Sequence, residues 1–430
     1  MQPLFINFHK TFTIKSFSND FFYDRIFHER DFMKKIILAL MLIMFIFPVY
    51  ADSININSQN AIVINLNDNS ILYEKNSDEQ IYIASLTKIM TAIVAIEQID
   101  DLQKEITITE DMLKGLYEYS QAGLKVNDKV TYEDLLYGVI LPSGADCVQA
   151  IEISLGGRES FVSLMNNLAK KLNLKTSQFS NGIGMDKDNY SSVKDVANIL
   201  NYALKNKTFE KVYTTKEYTM TNGLSVKATV EHYNTLDTSL ITGSKTGFTT
   251  AAGFCISAIY KSDEYNYLVV TANAPHNLGT PTHIEDAIYL FKYYLDNYRY
   301  LTLYSKNDVI TSIPIIDSKQ KNYDIKADEV KLFLKKDIKL EDLKINLKKI
   351  NNISINNQKG DYLGTLNVSY NNNILYTQDL ILNNNLKYKT DINDIIIIIL
   401  ITFIILLLIY NVLLRKKIHR LIVKIKRIAK

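Results

Sequence analysis

Apolar residues recur along this chain in several distinct rhythms. Ala61 to Leu66 and Ile71 to Glu74 flank the polar Asn67-Asp68-Asn69-Ser70 and predict a β-hairpin. A long apolar run then extends to Ile99. Within it Leu86, Ile89, Met90, Ile93, Val94 and Ile96 suit a helix buried on most faces. Asp101 to Val139 is mixed and predicts mostly helix, with Gly115 and Gly123 as breaks. Thr131 is placed to cap a helix, with Asp134 reaching back, and that helix should run to Ile140 before a Pro142-Ser143-Gly144 loop. Helices are predicted over Cys147 to Ser154, Arg158 to Leu172, Asp195 to Leu204 and Thr282 to Tyr298. Strand character returns over Tyr213 to Val226. Gly253 to Tyr260 and Tyr267 to Ala274 read as an antiparallel hairpin around Lys261-Ser262-Asp263-Glu264. Strands at both ends with helices between imply one antiparallel sheet with a helical cluster against it, an α+β arrangement.

Beyond Tyr300 the rhythm changes. Short alternating stretches at Lys331 to Leu334, Thr365 to Tyr370 and Ile374 to Gln378 imply a small β-rich domain, with Asn371-Asn372-Asn373 as a turn. About 20 mostly apolar residues at 395–414 are long enough to cross a bilayer, and the basic tail 415–430 follows at once. Near the other end, Met33-Lys34-Lys35 precedes roughly 14 apolar residues that end at Val49-Tyr50-Ala51. That is the form of a secretory signal peptide at 33–51, with 1–32 as an upstream extension. Both ends then predict residues 52–394 outside the membrane and the C-terminus in the cytoplasm. Ile418, Leu421, Ile422, Val423 and Ile425 interleave with the tail's basic residues, as expected of a segment lying along an anionic leaflet.

Charge narrows the partners. The net charge is +3, and eight Lys and Arg lie in 415–430, so the remainder carries about −5. A folded part without excess positive charge argues against nucleic acid as a ligand. Two cysteines, Cys147 and Cys255, are too few for a disulfide framework, and their apolar neighbours predict buried thiols. The six histidines show no metal-binding spacing; His232, His276 and His283 are expected at the surface or an interface. No metal or cofactor is implied. There is no Gly-x-Ser-x-Gly elbow, which disfavours a Ser-His-Asp hydrolase.

The candidate chemistry begins at Ser85 and Lys88. Three residues apart on a helix, their side chains emerge on one side. A hydroxyl is a poor nucleophile until a base takes its proton. An amine on an apolar helix is costly to bury charged, and beside a second cation it becomes a base near pH 7. Two further motifs follow in order, Pro142-Ser143-Gly144-Ala145 and Lys245-Thr246-Gly247. Any one of the three is weak alone; the ordered set is specific.

With Ala84-Ser85-Leu86-Thr87-Lys88-Ile89-Met90-Thr91, Tyr132-Glu133-Asp134-Leu135-Leu136-Tyr137-Gly138 and Lys245-Thr246-Gly247-Phe248-Thr249, the chain resembles the serine-type D-alanyl-D-alanine carboxypeptidases, the low-molecular-mass penicillin-binding proteins. The resemblance runs from Ile62 to Pro275 and more loosely to Leu386. It implies a β-lactamase/penicillin-binding-protein-like antiparallel sheet with a helical cluster at 52–299, and a small β-rich domain at 300–390. It also implies removal of the terminal D-alanine from peptidoglycan stem peptides ending in D-Ala-D-Ala, with β-lactams as inhibitors. By the same resemblance Ser85 is the nucleophile, Lys88 its base, helped to stay neutral by Lys245, and Ser143 a proton relay. Lys245 and Thr246 would hold the substrate carboxylate, Phe248 would give the second oxyanion amide, and Gly247 would let substrate backbone lie close.

One position departs from the pattern. Ala145 stands where the family usually has Asn, and alanine cannot hydrogen-bond a substrate amide or Lys88. A non-catalytic wall-binding protein is therefore one alternative. A β-lactamase is another, although no Glu-containing segment resembles the deacylating loop of the class A enzymes. Endopeptidase and transpeptidase activities share the same chemistry.

Overall fold

The structure is a computed structural model that describes residues 54–185, 189–276, 279–316, 320–386 and 392–428. The expected signal peptide and upstream extension lie outside the described residues. Five strands form one antiparallel sheet: β1 (Asn60–Asn65), β2 (Ser70–Lys75), β3 (Gly243–Thr249), β4 (Gly253–Lys261) and β5 (Asn266–Ala274), in the order β2-β1-β5-β4-β3. Both predicted hairpins are present. Every residue of β1 is buried. Successive strand side chains point to opposite faces, so both faces of the sheet are covered. Strand β3, which carries Lys245-Thr246-Gly247, lies at one edge.

The helices fill the middle of the sequence. Helix α1 (Thr87–Gln98) is buried continuously from Thr87 to Ala95. Around it lie α2 (Tyr132–Ile140), α3 (Ala145–Ser154), α4 (Arg158–Lys171), α5 (Val193–Ala203) and α6 (Lys207–Thr214). Helix α5 also packs on β5 and β1, and α7 (Thr282–Asn297) packs on β5 and β4. The cap of α2 is reciprocal: Asp134 N–H donates to Thr131 Oγ1 at 3.1 Å and Thr131 N–H to Asp134 Oδ2 at 2.9 Å. Asp134 also accepts from Thr221 Oγ1 at 2.6 Å and Tyr218 OH at 3.0 Å, while Tyr218 stacks on Tyr137 at 3.7 Å. A buried carboxylate with this many donors is satisfied rather than stranded.

Three expectations need correction. Residues 101–131 are not mostly helical: they hold a two-stranded ribbon, Glu105–Thr107 with Lys129–Thr131, and turns between. The cause is a side chain outside the segment. Asp146 accepts the amides of Ala122, Gly123 and Leu124 at 2.8, 2.9 and 3.1 Å, so these N–H groups need no helix. Tyr213, expected in a strand, lies in the last turn of α6, a helix that Asn206 starts by accepting the amides of Thr208 and Phe209. His283, expected at the surface or an interface, is 2% exposed and stacked on Phe254 with ring centroids 4.7 Å apart.

The region from Tyr298 onward is β-rich, with Leu363, Leu366, Val368, Leu380 and Leu382 in its own core. The turn at Asn371-Asn372 has both residues at positive φ, 48° and 64°, where asparagine is favoured, and it joins Tyr362–Tyr370 to Asn373–Ile381. Aromatic residues make the seam with the main sheet. Tyr300 stacks on Tyr265 at 5.7 Å, its hydroxyl meets Asn65 Nδ2 at 2.8 Å, and Phe333 lies 6.1 Å from Tyr267. Much of the chain's tyrosine is used here. Helix α8 (Ile392–Ile428) includes a stretch, Ile395–Ile428, apolar and long enough to cross a membrane. The basic residues from Arg415 to Arg427 continue the same helix.

Candidate active site

Ser85 sits on a one-turn 3-10 helix, Ala84–Leu86, immediately before α1 rather than within it. The turn is held by Leu86 N–H to Ile83 O at 3.0 Å and by Thr87 Oγ1 to Ala84 O at 2.9 Å. Ala84 has φ +45°, a strained position for a residue with a β-carbon. Strain of this kind gathers where function needs a fixed geometry.

The first turn of α1 brings Lys88 Nζ to 3.1 Å from Ser85 Oγ. The same amine donates to the carbonyl of Ile183 at 2.8 Å. Lys88 is 1% exposed, and burial pushes it down to about 7 against the pull of Asp146, Glu152 and Cys147 in the other direction. Two like charges oppose each other in both directions, and Lys245 faces Lys88 in this way. Lys245 is held well below the ordinary lysine value, first by burial and then by the charge of Lys88.

Ser143 enters from the α2–α3 loop with φ +66°. Its Oγ is buried and has no hydrogen-bond partner among the described residues. From β3, Thr246 Oγ1 shares a hydrogen with Thr229 Oγ1 at 2.6 Å. These groups line one cleft of about 740 Å3, together with Ser85, Lys88, Ser143, Thr229, Gly247 and Phe248. Lys245 lies behind that lining, wholly buried, and donates to its neighbour's carbonyl, Thr246 O, at 2.8 Å. Lys245, expected to hold the substrate carboxylate, is thus adjacent to the cleft wall rather than among its lining residues.

Gly247 has a packing reason for being glycine besides the one expected. A β-carbon there would stand 2.9 Å from the backbone nitrogen of Ser85, so the edge strand approaches the nucleophile turn closely. Ala145 opens α3 and is wholly buried, and its N–H donates to Ser120 O at 2.8 Å. This bond and the Asp146 clamp fix the segment that brings Glu118, Tyr119 and Ser120 to the cleft. With alanine at 145, Lys88 donates to the carbonyl of Ile183.

Sequence reasoning missed Thr229, Ile183, the 118–120 segment and His283, all of which line the cleft. They come from parts of the chain with no local motif, and only the packing joins them. Burial pushes His283 down to about 4, which leaves it neutral at ordinary pH. Both cysteines are buried free thiols.

Residues 48–276, more than half of the chain, match the family described as D-alanyl-D-alanine carboxypeptidase. The chain belongs to that family. Residues 298–388 match a second family, described as penicillin-binding protein 5, C-terminal domain. The D-alanyl-D-alanine carboxypeptidase DacF of Bacillus subtilis (strain 168) is 29% identical over 72% of this chain and 80% of its own length. The crystal structure of penicillin binding protein 5 from Haemophilus influenzae superposes with a TM-score of 0.62, covering 77% of this chain and 98% of that one; at 23% identity it shows the fold. The Streptomyces K15 DD-transpeptidase structure is 29% identical, with a TM-score of 0.51, over 56% of this chain and 97% of its own. The D-alanyl-D-alanine carboxypeptidase fold and serine-type activity follow for this chain, and the β-lactamase and non-catalytic alternatives are not favoured.

Proposed function

We propose that this carboxypeptidase releases the terminal D-alanine of peptidoglycan stem peptides ending in D-Ala-D-Ala, with Ser85 as nucleophile and Lys88 as its base. The observation that carries the reading is the 3.1 Å approach of Lys88 Nζ to Ser85 Oγ, by an amine that burial brings to about 7. A neutral amine accepts the hydroxyl proton as Oγ attacks the carbonyl carbon of the penultimate D-alanine. The amides of Ser85 and Phe248 receive the negative charge that develops on the carbonyl oxygen. The C–N bond then breaks, the leaving amine of the terminal D-alanine takes its proton through Ser143, and an ester on Ser85 remains. Water attacks the ester as Lys88 takes its proton, the acyl C–Oγ bond breaks to release the shortened peptide as its acid, and Lys88 returns the proton to Ser85 Oγ.

The hydroxyls of Thr246 and Thr229 receive the terminal carboxylate, with Lys245 buried behind them. β-Lactams present an acyl group and a carboxylate in the same relation, so they acylate Ser85 as inhibitors. Helix α8 anchors the protein, with its basic end cytoplasmic and the catalytic domain outside. The deciding experiment incubates the full chain with a labelled penicillin, maps the label, and measures D-alanine release from a pentapeptide. Label on Ser85 and release that both vanish in Ser85→Ala are expected; label retained in that variant would refute the assignment.

A further inference from the structure

We propose that Glu152 is a positioning residue for acylation: from α3 it holds the turn at 181–184 and so fixes the carbonyl of Ile183, the acceptor that aims Lys88 at Ser85. The inference rests on the reading of Ser85 and Lys88 given above and adds a residue that contacts neither of them.

Glu152 is 1% exposed. Burying a carboxylate is costly unless it is paired or well bonded. Its ion pair with Arg158, Nε to Oε2 at 3.3 Å, is formed with a side chain that is 53% exposed, so solvent screens it and it offsets little of that cost. The contact that gives the carboxylate a purpose is the other oxygen: Oε1 accepts the amide of Gly182 at 2.8 Å. An apolar residue would fill the space as well, but it would leave that amide without its acceptor.

Gly182 is gripped from a second side. Its carbonyl accepts from Thr91 Oγ1 at 2.8 Å, one turn along α1 from Lys88. A β-carbon on Gly182 would meet Val148 Cγ1 at 2.9 Å and both Glu152 Oε1 and Thr91 Oγ1 at 3.0 Å, so the turn is clamped between α3 and α1. The turn is also folded about its own side chain. Asn181 Oδ1 accepts the amides of Ile183 and Gly184 at 3.0 and 2.8 Å, and Asn189 Nδ2 at 3.0 Å. What this assembly delivers is the Ile183 carbonyl, 2.8 Å from Lys88 Nζ. The far end of the turn rests on the nucleophile itself: a β-carbon on Gly184 would lie 2.1 Å from Ala84 O. A turn released by Glu152 therefore moves the acceptor of the base and the support of the Ser85 turn together.

The test uses the full-length chain in detergent and a fluorescent penicillin, resolving the pre-covalent Kd from the first-order acylation rate. It is run at about pH 8.5, where Lys88 is mostly neutral whether or not Glu152 carries charge. Glu152→Ala should slow acylation about 10- to 100-fold, as a misplaced catalytic group does, while Kd changes by less than about threefold. Glu152→Gln keeps an oxygen for Gly182 and should stay within about threefold of the unaltered protein. A purely structural role would lower the melting temperature and leave the rate of the folded fraction untouched. Should Glu152→Ala not fold, Thr91→Val removes the opposite grip on Gly182 and should slow acylation in the same way. An unchanged acylation rate in either folded variant overturns the proposal. An unaltered chain that takes no label sinks the reading of Ser85 instead, and this inference with it.

Discussion

Gly247 is set against Ser85: a β-carbon on the glycine would lie 2.9 Å from the serine's backbone nitrogen and 3.2 Å from the β-carbon of Ala84. Edge strand and nucleophile turn are thus built to one tolerance. Gly247→Val should push the strand off the turn and reduce penicillin acylation by about 100-fold or more. Near-normal labelling of that variant would show that the close approach is incidental to the chemistry.

Lys88 gives the reaction a pH dependence of defined sign. Burial lowers it to about 7, and only the neutral amine can take the proton of Ser85. Acylation should therefore rise with pH, reach half its maximum near pH 7, and fall about tenfold per unit below that. The measurement is the acylation rate at saturating penicillin from about pH 5 to 9. A rate that is flat across neutrality, or that falls as pH rises from 6 to 8, would contradict a neutral lysine base.

How much of this site the sequence carried depends on the distance over which each residue acts. Ser85, Lys88, Ser143 and Thr246 belong to short motifs that name them, although only the Ser85–Lys88 pair is local and packing joins the rest in one cleft. The two hairpins and the Thr131–Asp134 cap are local as well. What was not legible depends on distant partners. Ile183 meets a lysine 95 positions away, Thr229 meets Thr246 across 17, and residues 122–124 take their turns from Asp146. Lys245 shows the limit most clearly, since its motif names the residue but not the depth at which the ammonium lies.

Thr229 is the most direct check on the carboxylate pocket. Its hydroxyl is 2.6 Å from that of Thr246 at the cleft wall. Thr229→Val keeps the shape and removes one hydrogen-bonding group, which is worth about 1–3 kcal/mol where the partner is left unsatisfied. KM for a D-Ala-D-Ala peptide should rise about tenfold with kcat little changed, because the bond serves ground and transition states alike. A fall in kcat at constant KM would move Thr229 from binding into the chemical step.

Ser143 supplies the last prediction, and two observations bear on it. Its φ of +66° costs a residue with a β-carbon about 1–2 kcal/mol. Its buried hydroxyl lacks a partner among the described residues, which adds a desolvation cost of about 1–3 kcal/mol. Glycine removes both and returns only about 0.5–1 kcal/mol through the freer unfolded chain. Ser143→Gly should therefore raise the melting temperature of the catalytic domain by about 2–4 °C. Its D-alanine release should fall about 10²- to 10⁴-fold with the proton relay gone. Thermal unfolding and a release assay on the same preparation read both changes. A variant that releases D-alanine at the unaltered rate would remove Ser143 from the mechanism, and one that is less stable would show that its strain and unpartnered hydroxyl carry no net cost.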